Sequence, residues 1–233
     1  MKQIIALGGG GFSMEPDNPL LDAYILKCSS RPRPAVCFVP TASGDSADYV
    51  GRFYESFGRF DCEPSHLSLF KPPAADLEEF VLRKDIIYVG GGSTKNLLAL
   101  WREWKLDSIL KKALDRGVIL AGISAGAICW FEQGLTDSLF GSLTRLDCLG
   151  FLKGSCSPHY DGEADRRPSY QALIASGEML DGIAADDGAA LHYIDGALAR
   201  VVTSRPGAAA YMVKRNGGRA EETKLDTLYL KDM

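Results

Sequence analysis

Gly122-Ile123-Ser124-Ala125-Gly126 sets a serine between two glycines. It follows the apolar run Val118–Ala121, which reads as a buried strand, and precedes Ala127–Phe131, which can continue as a helix. A serine at such a strand-to-helix junction has the pattern of a nucleophile elbow, in which a tight turn strains the backbone and exposes the hydroxyl. Small residues on either side let strand, helix and substrate approach closely. The backbone N–H of Ala125 stands at the helix start, where it can help to hold an oxyanion.

A serine nucleophile needs a base, and the base needs an orienting group. The chain has three histidines. His66 lies at a strand start before the elbow and reads as structural or surface. His192 alternates with apolar neighbours in a late strand and reads as a satisfied strand histidine. His159 differs: Ser157-Pro158-His159-Tyr160-Asp161-Gly162 is an irregular segment after a strand-like run, where parallel α/β sheets place their site loops. His159 is therefore the candidate base. For the acid, Asp186-Asp187-Gly188 offers two adjacent carboxylates, and neighbouring side chains point in different directions, so only one can face the imidazole. Asp161 is close to His159 in sequence, whereas an orienting acid normally comes from a separate segment. Asp137 and Asp165 read as solvated loop residues. The best set runs Ser124, His159, Asp187, with Asp186 as the alternative acid.

The elements that must position these groups alternate along the first two thirds of the chain. Ile4–Leu7, Ala35–Val39, His66–Phe70, Asp85–Val89 and the elbow strand are apolar throughout. Helices are expected over Leu20–Lys27, from about Ser46 to Phe60, over Ala75–Leu82, Thr94–Trp104 and Leu106–Arg116. Such alternation indicates a parallel sheet covered on both faces, an α/β fold. Tyr49, Phe53 and Phe57 recur at helical spacing and read as core. After about residue 180 the pattern changes to short strands with Asp195-Gly196 and Asn216-Gly217-Gly218 as hairpin turns. Residues 180–233 are expected to form an antiparallel extension of one domain spanning 1–233.

Composition narrows the function classes. The 233 residues are 46% hydrophobic and 24% charged, with a net charge of −4. No basic stripe points to nucleic acid. No apolar run approaches a membrane span. None of the six cysteines sits in a Cys-x-x-Cys pair, and the N-terminus leads straight into a strand-like run. Free thiols in a reducing cytoplasm are expected. No cluster has metal-ligand spacing, so a metal-independent, cofactor-free site is expected. The Gly8–Gly11 run suggests a dinucleotide turn only weakly, because Ser13 stands where a third glycine belongs and the next strand ends Val39-Pro40-Thr41 without an acid.

The order of the catalytic set is informative. An α/β-hydrolase runs Ser, acid, His; here His precedes the acid, as in class I glutamine amidotransferase-like enzymes, which use Cys for Ser. The chain resembles the peptidase E family of serine peptidases, aspartyl dipeptidases with that amidotransferase-like fold. Four blocks carry the likeness: Leu7–Ser13, Tyr88–Thr94, Gly122–Gly126 and Ser157–Tyr160. The resemblance implies Ser124 as nucleophile, His159 as base, and Asp187 where the family has a Glu before a Gly. It further implies Gly91 and Gly92 as the turn supplying a second oxyanion N–H. Ser93 stands where the family often has Asn, and is the matching candidate for substrate contact. A substrate aspartate needs a cation, best a guanidinium; Arg166-Arg167 supplies two, of which Arg167 matches the family's aspartate-binding position. The expected activity is hydrolysis of small peptides, Asp-X dipeptides above all, by a protein that binds neither nucleic acid nor membrane and that is compatible with a homodimer. The alternatives are an esterase, amidase or isopeptidase on the same scaffold, or a non-catalytic ligand-binding relative.

Overall fold

The computed structural model describes residues 1–71, 76–139 and 142–232. Its main sheet is built from β1 (Gln3–Leu7), β2 (Ala35–Val39), β3 (Glu63–His66), β4 (Ile86–Val89), β5 (Ile119–Ile123), β10 (Ala189–Ile194), β11 (Ala197–Thr203) and β14 (Thr227–Tyr229). The order is β14-β11-β10-β1-β5-β4-β2-β3. The five strands β1, β5, β4, β2 and β3 are mutually parallel, and β10 joins β1 antiparallel.

Both faces of this parallel block are covered, as the apolar strands β1, β2, β4 and β5 require. Ile5, Leu7, Val36, Phe38, Ile86 and Tyr88 pack against the helices Leu20–Lys27 and Ala47–Phe57. Their alternates Ile4, Ala6, Cys37, Val39, Ile87 and Val89 pack against the helices Thr94–Glu103 and Leu106–Asp115. Tyr49, Phe53 and Phe57 do form one buried helix face, stacked around Phe12 and Phe38. The expected strand over His66–Phe70 instead lies earlier, at β3. The helix expected over 75–82 covers Leu77–Leu82, Ala75 lying outside the described residues.

A second sheet departs from the expectation. It is made of β6 (Phe131–Leu139), β7 (Ser142–Asp147), β8 (Leu152–Ser157), β9 (Gly182–Ala185), β12 (Ala210–Asn216) and β13 (Arg219–Lys224), in the order β13-β12-β9-β8-β6-β7. The segment after residue 180 thus feeds both sheets. The helix expected to continue through Phe131 lasts one turn, Ala125–Ile128, before β6 begins. Tertiary packing overrides local pattern here: Trp130 is buried between Trp101 and Phe151, both with ring centroids 5.9 Å away. The helix Arg166–Ser176 covers the outer face of this sheet through Tyr170 and Ile174.

Candidate active site

The C-terminal end of β1 gathers the candidate residues. Three consecutive carbonyls there each accept one backbone N–H: Leu7 from Ser124 (3.1 Å), Gly8 from His159 (3.1 Å) and Gly9 from Gly188 (3.1 Å). The three segments lie 35 (159 − 124) and 29 (188 − 159) residues apart in sequence, and one strand end indexes all of them.

Ser124 follows β5 and has φ 55° and ψ −114°. A positive φ on a non-glycine residue costs on the order of 1–3 kcal/mol and persists only where the surroundings impose it. The surroundings are the two flanking glycines. A Cβ on Gly122 would run into the Gly126 carbonyl, and a Cβ on Gly126 would run into the Val89 carbonyl. Strand, turn and helix are packed backbone to backbone. Ser124 is the one residue from Val118 to Phe131 that is not buried. The turn therefore presents its side chain outward.

His159 also has a positive φ, 51°. Its Nδ1 lies 2.6 Å from Asp187 Oδ1, with both side chains nearly buried. The Asp187 backbone N–H donates to Asp161 Oδ1 (2.8 Å), so the Asp161 carboxylate is bonded to the Asp187 backbone while His159 Nδ1 faces Asp187. Two glycines make room for the Asp187 carboxylate: a Cβ on Gly9 or on Gly162 would overlap its oxygens. Among the described residues, His159 Nε2 has no hydrogen-bond partner, and Ser124 Oγ makes no hydrogen bond to the ring. Asp186 faces the other way. Its carboxylate accepts from Ala209 N–H (3.0 Å) and Tyr211 Oη–H (3.5 Å), and burial, with the Asp161 charge adding, pushes its pKa up to about 6.

The other histidines are occupied elsewhere. His66 pairs with Tyr54 Oη at 2.8 Å on the surface. His192 is buried between Tyr24 Oη (2.7 Å) and Gln3 Oε1 (3.0 Å), and burial, together with the Arg200 charge, lowers its pKa to about 4.

The glycine turn after β4 differs in detail from the expected oxyanion turn. Gly91 abuts the nucleophile, since a Cβ there would lie 3.3 Å from Ser124 Cβ. Its N–H, however, donates to Tyr49 Oη (3.3 Å). Among the described residues the amides of Gly92 and Ala125 donate to no protein acceptor. Gly92 has φ 134°, and a Cβ would run into the Ala42 carbonyl, so only glycine closes this turn. Ser93 is consumed as a helix cap: its Oγ accepts from Asn96 N–H (3.3 Å).

The two candidate arginines are also engaged. Arg166 is buried, donating from Nε to Glu163 (2.6 Å) and from Nη1 to the Leu135 carbonyl (3.0 Å). That removes it from any surface a substrate reaches. Arg167 is half exposed, ion-paired with Glu222 and stacked on Tyr160 and Tyr211, 5.3 and 4.9 Å from their ring centroids. Glu222 additionally accepts from Tyr160 Oη–H (2.7 Å) and Gln171 (2.9 Å). A third arginine, Arg205, pairs with Glu15 and lies against Gly188.

Sequence reasoning overlooked Gly9 and Gly162 as site residues, weighed Asp161 only as the acid itself, and read Tyr49 only as core. The signal available for Gly9 was the glycine run at the end of a strand adjacent to the elbow strand. Its glycines allow close packing: Gly8 presses on the Ala185 and Asp186 carbonyls and Gly9 on Asp187. Among the described residues no group of three or more His, Cys, Asp or Glu side chains could hold a metal. All six cysteines are unpaired, and no described helix is long and apolar enough to cross a membrane.

The α/β architecture, with its parallel block of five strands, is shared by solved peptidases. A peptidase from an acI-B1 actinobacterium superposes with a TM-score of 0.67 over 97% of this chain and 95% of its own, at 20% identity. A Listeria monocytogenes EGD-e protein assigned to peptidase E superposes with a TM-score of 0.59 over 97% and 100%, at 17% identity. The fold is that of these peptidases. The model of peptidase family S51 matches residues 4–201. The uncharacterized peptidase YgaJ of Bacillus subtilis (strain 168) is 61% identical over 230 residues, covering 99% of this chain and all of that protein. The chain belongs to peptidase family S51, the peptidase E family.

Proposed function

We propose that the protein is a serine peptidase of short peptides, with Asp-X dipeptides as its substrates. The observation that supports this most is the 2.6 Å His159–Asp187 pair held beside the strained Ser124 elbow. Asp187 accepts the Nδ1 proton of His159, which fixes the tautomer and leaves Nε2 as the base. His159 takes the Ser124 hydroxyl proton as Oγ attacks the scissile carbonyl carbon. The tetrahedral oxyanion is held by the free N–H groups of Ala125 and Gly92. His159 then protonates the leaving amine, giving an acyl-enzyme. Water, deprotonated by the same imidazole, releases the acid and restores Ser124. The outer edge of Arg167, stacked between two tyrosines, receives the β-carboxylate of the N-terminal aspartate.

A fluorophosphonate probe should label Ser124 and no other serine, as read by peptide mass mapping. A panel of Asp-Leu, Leu-Leu, β-Asp peptides and nitrophenyl esters should show Asp-Leu hydrolysed best, and Arg167→Ala should raise KM for Asp-Leu selectively. An unlabelled Ser124 would sink the mechanism. The Arg167–Glu222 pair favours one second reading, a peptidase of different specificity. Equal turnover of Leu-Leu and Asp-Leu would select it.

A further inference from the structure

Four arginines lie in or against the segments that build the site. Three are matched to a carboxylate: Arg166 to Glu163, Arg167 to Glu222 and Arg205 to Glu15. The fourth, Arg52, is exposed on the helix Ala47–Phe57 and forms no ion pair among the described residues.

Arg52 is nevertheless held in place. Its Nη1 donates to the Ser13 carbonyl (2.9 Å), and its guanidinium carbon sits 4.9 Å from the centroid of the Tyr49 ring. Tyr49 leads directly to the reaction centre. Its hydroxyl shares a 2.7 Å hydrogen bond with Ser13 Oγ and accepts the Gly91 N–H, and Gly91 abuts Ser124. An unbroken run of contacts therefore links Arg52 to the nucleophile through Ser13, Tyr49 and the glycine turn. Stacking and one backbone bond orient the guanidinium, and its remaining N–H groups donate to no protein group among the described residues. A preorganised, half-satisfied guanidinium is the group best suited to a planar carboxylate.

The two exposed stacked arginines are carried by different parts of the fold. Arg167 packs on tyrosines of the second-sheet side, Tyr160 and Tyr211. Arg52 belongs to a helix on the main sheet. An Asp-X dipeptide carries a carboxylate on each side of its scissile bond, on two residues whose Cα atoms are about 3.8 Å apart. We propose that Arg52 binds the C-terminal α-carboxylate of the leaving residue, so that the site measures dipeptide length. This rests on the peptidase reading above, in which Arg167 takes the N-terminal residue's side chain.

The test compares Arg52→Gln with the wild type on Asp-Leu and on Asp-Leu amide, whose C-terminal charge is removed. The wild type should prefer the free acid. Arg52→Gln should lower kcat/KM for Asp-Leu roughly tenfold or more, through KM, and leave the amide within about twofold. The preference for the free acid should then collapse. A wild type indifferent to amidation, or a variant that keeps the preference, overturns the proposal. So does a variant that loses both substrates equally while sparing Leu-Leu, which would give Arg52 the aspartate side chain. Binding of Asp-Leu by calorimetry to Ser124→Ala, with and without Arg52→Gln, reads the same contact without turnover, and equal affinities also overturn it. The peptidase reading fails separately, through lack of Ser124 labelling, while the binding comparison still reports on Arg52. Thermal melts of Arg52→Gln and wild type should coincide, as expected for an exposed substitution.

Discussion

Gly9→Ala places one methyl group at the centre of the catalytic pair. The new Cβ would overlap Asp187 Oδ1 and lie 3.0 Å from His159 Nδ1. An ordinary carbon–oxygen contact needs about 3.5 Å, so the carboxylate must retreat by more than about 1 Å. The His159–Asp187 bond, 2.6 Å in the native protein, would then exceed hydrogen-bonding distance. Gly9 itself is conformationally ordinary, since it is absent from the positive-φ glycines, so alanine adds no backbone strain of its own. Displacing a triad acid by about 1 Å costs on the order of 10²-fold in rate, and losing its control of the imidazole tautomer up to about 10⁴-fold. We expect kcat/KM on the preferred dipeptide to fall within that range, with KM little changed. The assay is steady-state hydrolysis by the purified variant, beside circular dichroism and a melting curve to establish that it is folded. The rate of fluorophosphonate labelling of Ser124 should fall in parallel. A folded Gly9→Ala enzyme within about threefold of wild-type activity would refute the assignment of Asp187 as the orienting acid.

Three further substitutions probe the same structure. Asp187→Asn should lower kcat by at least about 10²-fold, whereas Asp186→Asn, whose carboxylate faces Ala209 and Tyr211, should change it by less than about tenfold; steady-state kinetics of the pair decides which aspartate serves the imidazole. Gly126→Ala forces a methyl onto the Val89 carbonyl and should cost about 1–3 kcal/mol by urea unfolding as well as activity; unchanged stability would mean that the elbow is not packed as described. Asp22 is fully buried, neither carboxylate oxygen has a hydrogen-bond partner among the described residues, and burial raises its pKa to about 7. The folded protein therefore keeps this proton between about pH 4 and pH 7 while the unfolded chain releases it. Stability should fall as pH rises through that window and level off above it, by at most about 4 kcal/mol. Asp22→Asn should flatten this slope, read from urea midpoints at pH 5 and pH 8, and parallel curves would contradict it.

Much of the site was legible in the chain because its chemistry is local. Ser124 between glycines, on an apolar strand and before a helix, is a short-range pattern whose physical demands are met by adjacent residues. His159 emerged because the other two histidines sit in ordinary strand settings, and the structure does occupy both with tyrosine hydroxyls. The parallel half of the main sheet followed from strands apolar on both faces. The second sheet did not, because Phe131–Leu139 and Ser142–Asp147 carry mixed side chains whose pairing is set by distant partners.

The sequence by itself determined the tight glycine-flanked turn at Ser124, the one histidine placed in a loop, and the parallel α/β block, since each depends on residue types within a few positions of one another. Only the tertiary structure decided which of two adjacent aspartates meets the imidazole, because that depends on where Gly9 and Gly162 leave space. It likewise decided that the Gly91 N–H goes to Tyr49, that Ser93 caps a helix, and that Arg166 and Arg167 are paired with glutamates, one of them from β13 near the other end of the chain. Donors, acceptors and charges are satisfied by whatever the fold brings within about 3 Å, and for Gly91–Tyr49 and Arg167–Glu222 that partner lies 42 and 55 residues away in sequence.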